Sequence, residues 1–187
     1  AADWEKAFDR VSWDYLHEAV EALNFGPFAR NWISTMYCED APPVRHVKVN
    51  GQRSAPFSIF SGVPQGCPAS PLIFLIAAEA LSRVILDDKH LLGVEVGGTT
   101  LKLCQFADDT QFFLRNYAQL PRMWKHIDDF EEASGQRANQ AKFEAIRLGA
   151  SRRKTAPADA DLRGIRLIAP HDRMILLGIP FGEQLDE

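Results

Sequence analysis

The chain is poor in cysteine, in long apolar runs and in net positive charge, and each shortage excludes something. Its three cysteines, Cys38, Cys67 and Cys104, lie far apart with no close partner Cys and no neighbouring His. That spacing argues against a disulfide framework and against a zinc site. They read as buried, reduced thiols, which fits an intracellular compartment, nuclear or cytoplasmic. The longest strongly apolar stretch, Pro71 to Ala78, is broken by Glu79 and is too short to span a bilayer. The opening residues Ala1-Ala2-Asp3-Trp4-Glu5-Lys6 lack the basic-then-apolar order of a secretory signal. A soluble chain with no membrane partner is therefore expected.

Net charge is −4, which does little to attract a polyanion. The distribution says more than the sum. Residues 1–40 hold eight acids and three bases, whereas residues 147–173 hold seven bases against three acids. At 187 residues, 46% of them apolar and 25% charged, the chain can bury a real core.

Periodicity then marks the elements. Ser12 is placed to cap a helix from Trp13 to Asn24, with Trp13, Leu16, Val20 and Leu23 on one face. Gly26 is expected to stop it, and Pro27 to start a second helix reaching Met36 or Tyr37. Asn50-Gly51 sits between two strand-like runs, Val44–Val49 and Ser54–Phe60, as a type I′ hairpin signal. Ser61 to Pro68 is a Gly- and Pro-rich loop, followed by Ser70-Pro71 as cap and first residue of an apolar helix to about Leu86.

Gly97-Gly98 links two short strand candidates. Leu101–Phe106 and Thr110–Leu114 flank Ala107-Asp108-Asp109 as a further hairpin. Asn116 can cap a helix from about Leu120 to Ala133, ended by Gly135. Phe143–Leu148, Ile165–Ile168 and Met174–Ile179 read as strands, and Ser151 to Asp161 as the most flexible segment. Helices mixed with hairpins indicate an α+β fold, not a doubly wound parallel sheet.

The turn Ala107-Asp108-Asp109 is the chemically pointed feature. Adjacent carboxylates repel one another unless a cation neutralises them. Taken alone, the pair reads as an ordinary solvated turn. Apolar flanking strands, however, would hold it rigidly, and rigid carboxylates suit Mg²⁺, a hard cation that shares oxygen ligands with substrate phosphates. Two such ions can activate an attacking hydroxyl and stabilise the leaving oxygen of an in-line phosphoryl displacement. A third carboxylate from elsewhere would complete the set.

Five segments, in order, resemble the motifs of reverse transcriptases. Phe106-Ala107-Asp108-Asp109 is similar to the [F/Y]-A-D-D motif. Asp3-Trp4-Glu5-Lys6-Ala7-Phe8-Asp9 resembles the D-x-E-K-A-F-D form found in non-LTR (LINE-like) retrotransposons. The run from Gly62 to Phe74 resembles Q-G-x-P-x-S-P-x-x-F. Ser134-Gly135 through Asn139, Lys142 and Glu144 resembles S-G-x-x-x-N-x-x-K-x-E, and Leu177-Gly178-Ile179 resembles the L-G-I of the primer-grip hairpin.

The resemblance implies a right-hand polymerase palm, an antiparallel sheet packed on helices, with part of the fingers. It divides the chain into a truncated palm strand (1–11), finger-side helices and hairpin (12–69), palm (70–150), and the end of the palm with the primer grip (151–187). Asp3, Asp108 and Asp109 would bind two Mg²⁺ ions, with Mn²⁺ as a substitute. Phe8 would be the steric gate against a 2′-hydroxyl. Gln65 and Gly66 would contact template and incoming nucleotide, and Leu177 and Gly178 the primer. Lys142 would protonate the leaving pyrophosphate.

The implied partners are an RNA template, a DNA primer and deoxynucleoside triphosphates. Set against the family, the chain lacks upstream finger segments, a thumb and an endonuclease region, so residues 1–187 alone are expected to be inactive. Three other readings compete. A group II intron-type reverse transcriptase/maturase would carry a downstream maturase region. An inactive transposon remnant would serve as a binding module. A Mg²⁺-dependent phosphohydrolase would use the same carboxylates but leaves Phe8 and Gln65-Gly66 without a role.

Overall fold

Helices form where apolar residues recur every three or four positions, and the first of them follows the sequence closely. The computed structural model describes residues 1–151, 154–169, 172–176 and 179–182. It divides into two units: Lys6–Ala80 with Glu132–Gln136, and Ala1–Glu5 with Leu81–Glu131 and Arg137–Glu187.

In the first of these, α1 (Trp13–Ala22) is capped by Ser12, whose Oγ accepts the Tyr15 N–H at 3.4 Å, and Trp13, Leu16 and Val20 are buried. The helix stops earlier than expected. Asn24 takes up left-handed backbone at φ 57, which its short polar side chain tolerates. Gly26, at φ −65, instead caps α2 (Pro27–Met36), with Pro27 in the first turn.

Of the two strand-like runs around Asn50-Gly51, the first breaks into β1 (Val44–Arg45) and β2 (Lys48–Val49); the second shrinks to β4 (Phe57–Ser58), with β3 (Gln52–Arg53) forming ahead of its expected start. β2 pairs with β3 and β1 with β4, both antiparallel. Asn50 and Gly51 have φ 49 and 81, the two positive values a type I′ turn requires. At the break Ser54 Oγ accepts the Val47 N–H at 3.0 Å while Ser54 N–H donates to the Val47 carbonyl at 2.9 Å. Every residue of the four strands is exposed, so no core face holds them to one continuous ladder.

α3 (Ser70–Asp87) follows, its residues to Ala80 belonging to this unit. Ser70 Oγ does not act as the expected cap. It donates to the Pro64 carbonyl at 2.6 Å. Trp13 Nε1 donates to the Gly62 carbonyl at 2.9 Å and Tyr15 Oη to the Ala77 carbonyl at 2.8 Å, so both polar tips are satisfied inside the core. Burial pushes the Tyr15 phenol well up.

In the second unit β5 (Val94–Val96) and β6 (Thr99–Leu101) form a hairpin on Gly97-Gly98, and β7 (Leu103–Phe106) pairs antiparallel with β8 (Asp109–Phe112). α4 (Leu120–Ser134) begins after a 3₁₀ turn, Tyr117–Gln119, and Asn116 makes no side-chain cap bond. β9 (Glu144–Ala145) and β10 (Arg166–Leu167) are shorter than expected and pair in parallel. The run expected as one strand from Met174 to Ile179 belongs to two: β11 (Arg173–Leu176) pairs antiparallel with β12 (Ile179–Gly182).

The core of this unit gathers Leu81, Ile85, Leu91, Trp124, Ile127 and Phe143. Trp124 stacks on Phe143 at 5.5 Å and its Nε1 donates to the Asp161 carbonyl at 2.8 Å. In the segment expected to be most flexible, Ser151 ends a 3₁₀ turn, Gly149–Ser151, and residues 154–161 form no helix or strand but end on that anchor.

A buried carboxylate that no sequence pattern marked closes the end of α3. Asp88 accepts Arg122 Nε at 2.5 Å, His126 Nε2 at 2.6 Å and the His90 N–H at 2.8 Å. Burial alone would raise its pKa; the Arg122 and His126 bonds reverse that and hold the carboxyl well below the usual range.

The fold is α+β, with small sheets that are antiparallel except for β9–β10. The cysteines are unpaired, as expected, but not buried: Cys38 and Cys67 are half-buried and Cys104 is exposed.

Candidate active site

The acidic turn is tighter than its sequence suggests. Phe106 pairs with Asp109, so the loop is two residues, Ala107 and Asp108, and Asp109 is already the first residue of β8. Ala107 sits at φ 52, a region where a Cβ costs roughly 1–2 kcal/mol. Strain of this size persists when the surroundings over-determine it, and here they do. Thr110, fully buried, accepts Trp4 Nε1 at 3.1 Å and Gln105 Nε2 at 3.2 Å on its Oγ1. Ser82 Oγ in turn donates to Gln105 Oε1, and Trp4 packs edge-on against Phe130 at 5.3 Å.

A third strand-like segment runs along β8. Ala2 and Thr110 exchange backbone hydrogen bonds at 2.7 and 3.2 Å in an antiparallel bridge. In that register the next residues, Asp3 and Asp109, come opposite each other. On its other side the segment is held by a Trp4–Ala138 bridge and by the Asn139 N–H on the Asp3 carbonyl at 2.8 Å. The backbone thus brings Asp3, Asp108 and Asp109 to one end of the β7–β8 hairpin. Asp3 and Asp108 are half-buried and Asp109 is exposed.

Lys142 joins them. Its Nζ lies 3.0 Å from Asp3 Oδ2, and Asn139 Nδ2 lies 3.4 Å from the same oxygen. Asn139 precedes a short 3₁₀ turn, Gln140–Lys142, of which Lys142 is the last residue, and the Lys142 side chain remains 64% exposed. The donor set fits a hard divalent cation, being carboxylate oxygens alone. Among the described residues no three His, Cys, Asp or Glu side chains are grouped so as to hold a metal ion, and the Asp3 oxygen is partnered by Lys142.

Phe8, Gln65 and Gly66 belong to the other unit. The Phe8 ring stacks on Phe74 of α3 at 4.6 Å and stays half-buried. The Val63 N–H donates to the Phe8 carbonyl at 2.7 Å, and the Gly62 N–H to the Val11 carbonyl at 2.8 Å. The loop before Gln65 therefore lies on the 3₁₀ turn Ala7–Arg10. Gly62 cannot carry a side chain there: at φ 82 its Cβ would meet the Asp9 carbonyl oxygen at 2.6 Å. Gly66, at φ 87, faces open space, so its conformation and not crowding calls for glycine. Gln65 is exposed. Leu177 and Gly178 lie outside the described residues.

Sequence reasoning missed Phe74 as the partner of Phe8 and Thr110 as the post that holds the turn. It also missed the pairing of Lys142 with Asp3. Phe74 closes the motif that begins at Gly62 and was within reach of the sequence; the other two depend on contacts between distant segments.

Residues 1–181 match the family described as reverse transcriptase (RNA-dependent DNA polymerase). Over 149 residues, 79% of this chain, it is 32% identical to the transposon TX1 uncharacterized 149 kDa protein of Xenopus laevis. It is also 27% identical, over 80% of its length, to the retrovirus-related Pol polyprotein from type-1 retrotransposable element R2 of Popillia japonica. The matched part spans 11% and 20% of the lengths of those two relatives. Both are proteins of non-LTR elements, the branch the D-x-E-K-A-F-D form pointed to. The chain belongs to the reverse transcriptase (RNA-dependent DNA polymerase) family.

Proposed function

We propose that this chain is the palm, with part of the fingers, of a polypeptide that copies RNA into DNA for a non-LTR retrotransposon. The observation that carries the reading is the Ala2–Thr110 bridge, which sets Asp3 opposite Asp109 beside the strained Ala107-Asp108 loop.

In this reading a primer 3′-hydroxyl attacks the α-phosphorus of a deoxynucleoside triphosphate and pyrophosphate leaves. Asp3, Asp108 and Asp109 would hold two Mg²⁺ ions, which when bound would neutralise the triphosphate and favour ionisation of the attacking hydroxyl. The chain's own contribution is positioning. A two-residue loop fixed from below by Thr110, Trp4 and Gln105 keeps its carboxylates from relaxing, so little reorganisation is required when charge develops.

Lys142 holds Asp3 at rest. Beside a departing pyrophosphate its ammonium would serve as an electrostatic partner and proton donor. Phe8, braced from behind by Phe74, presents a rigid ring edge suited to rejecting a 2′-hydroxyl. Gln65 and Gly66 lie exposed on a loop anchored at Gly62 and Val63, where bare backbone can approach a base pair or nucleotide closely.

The test is primer extension on an RNA template by the full polypeptide that carries this chain. Extension that needs Mg²⁺ and disappears with Asp108→Ala supports the reading; a parent that never extends a primer refutes it. Residues 1–187 assayed alone check the expectation that they do not extend a primer by themselves. A Phe8→Ala parent that gains ribonucleotide incorporation would support the gate.

A further inference from the structure

The β1–β4 hairpin has no part in the site just described, yet its surface is unusual. No acidic residue occurs between Asp40 and Glu79 in a chain of net charge −4. Arg45, Lys48 and Arg53 lie in this interval on strands whose residues are all exposed, and no described carboxylate forms an ion pair with any of them.

Their arrangement is also unfavourable for the hairpin itself. Lys48 lies directly opposite Arg53 in the β2–β3 ladder, and like charges so placed repel across a short gap. One ladder further on, Arg45 lies opposite Phe57, whose ring is 46% exposed. The charge repulsion and the exposed ring are both relieved by one kind of occupant, a chain of phosphates that also carries flat apolar rings.

We infer that this exposed hairpin is a contact surface for a single-stranded nucleic acid, with phosphates on Arg45, Lys48 and Arg53 and a base stacked on Phe57. A single strand fits better than a duplex because its bases are free to stack. The hairpin is preformed for such contact, since the Asn50-Gly51 turn and the Ser54–Val47 hydrogen bonds set its bend without help from a ligand. The choice of nucleic acid over another polyanion rests on the proposed function; the charge pattern does not.

The experiment measures binding of the whole chain to a fluorescein-labelled RNA strand of about 20 nucleotides, long enough for a site of this kind. Polarisation is read over a range of salt. The wild-type chain binds, and R45Q/K48Q/R53Q binds roughly 10- to 100-fold more weakly at low salt. Its slope of log affinity against log salt is shallower by about 2, the value for three lost phosphate contacts on a single strand. Phe57→Ala weakens binding several-fold with the slope unchanged. The charge-keeping variant R45K/R53K retains binding, which separates lost charge from lost folding.

No binding by the wild-type chain, or equal binding and slope for the triple variant, overturns the inference. So does a duplex of the same sequence binding more tightly than the strand. Strand binding is read on the chain itself, and primer extension on the parent polypeptide that carries it. Failure of the hairpin assignment and failure of the polymerase reading are therefore told apart.

Discussion

The molecule carries two tight hairpins with opposite logic. In β2–β3 the loop is Asn50-Gly51 at φ 49 and 81, the strands are exposed, and the charged residues are cations. In β7–β8 the loop is Ala107-Asp108 with Ala107 at φ 52, Thr110 and Gln111 are buried, and the charged residues at the tip are carboxylates. The first uses residues that accept positive φ cheaply and needs no support. The second puts a residue with a Cβ where glycine would be easier and relies on Trp4, Gln105 and the Ala2 bridge to keep it there. A hairpin dictated by its own turn can stand alone. One that must place carboxylates depends on segments distant in sequence.

The sharpest way to break the comparison is to remove one tip charge from each hairpin in the parent polypeptide. Asp108→Ala is expected to cut primer extension by about a thousandfold or more, while Lys48→Gln changes it by less than about threefold. A comparable loss in both would mean that the two hairpins do not differ in role.

Next comes the support beneath the acidic turn. Thr110→Val removes the acceptor of Trp4 Nε1 and Gln105 Nε2, leaving buried donors unpaired, and should destabilise the chain by about 2–3 kcal/mol in urea titration. Val49→Thr, on an exposed strand, should stay within about 0.5 kcal/mol. Gly51→Val tests the other turn: a β-branched residue at φ 81 costs roughly 1–2 kcal/mol locally. Amide exchange should quicken about tenfold in β2–β3, with the β7–β8 amides unaffected.

Two smaller effects sharpen the account of the carboxylates. Lys142→Met removes the ammonium that partners Asp3. A surface pair of this kind contributes about 0.5–1 kcal/mol, so Mn²⁺ affinity, followed by paramagnetic resonance, should rise about two- to fivefold. A fall would make Lys142 a helper of the cation site and not its competitor. Ala107→Gly should stabilise the chain by about 0.5 kcal/mol, the relief of strain exceeding the added chain entropy. Destabilisation would show that the Ala107 methyl packs usefully.

The basic stretch 147–173 shows how far charge counts carry. By number it is the more cationic region, but Arg163 is bound by Asp128 at 2.8 Å and lies 5.0 Å from the Trp124 ring. Arg166 is paired with Glu144. These arginines largely serve the packing of their own unit. The hairpin has fewer cations and leaves all three without a carboxylate partner among the described residues. Counting bases along the chain points to the first region; pairing points to the second.

The local elements were legible for a physical reason: each depends on neighbours within a few residues. Ser12 caps α1, Pro27 opens α2, Asn50-Gly51 turns the hairpin, and Gly135 follows α4, all through short-range dihedral and hydrogen-bond preferences. The sequence by itself also determined the family, because ordered motifs record chemistry that spacing preserves. The rest belonged to tertiary structure. The end of α1 passed to Asn24, the long strands around Asn50-Gly51 broke or shortened where no core face held them, and one expected strand near Met174 became two.

At the site, Asp3 and Asp109 are separated by most of the chain, and a backbone bridge between Ala2 and Thr110 makes them neighbours. The same holds for Lys142 on Asp3 and for Phe8 on Phe74. The sequence singled out the residues proposed to carry the chemistry. Which of them share an oxygen, a ring face or a strand edge was decided by long-range contacts, and local preference has no hold on those.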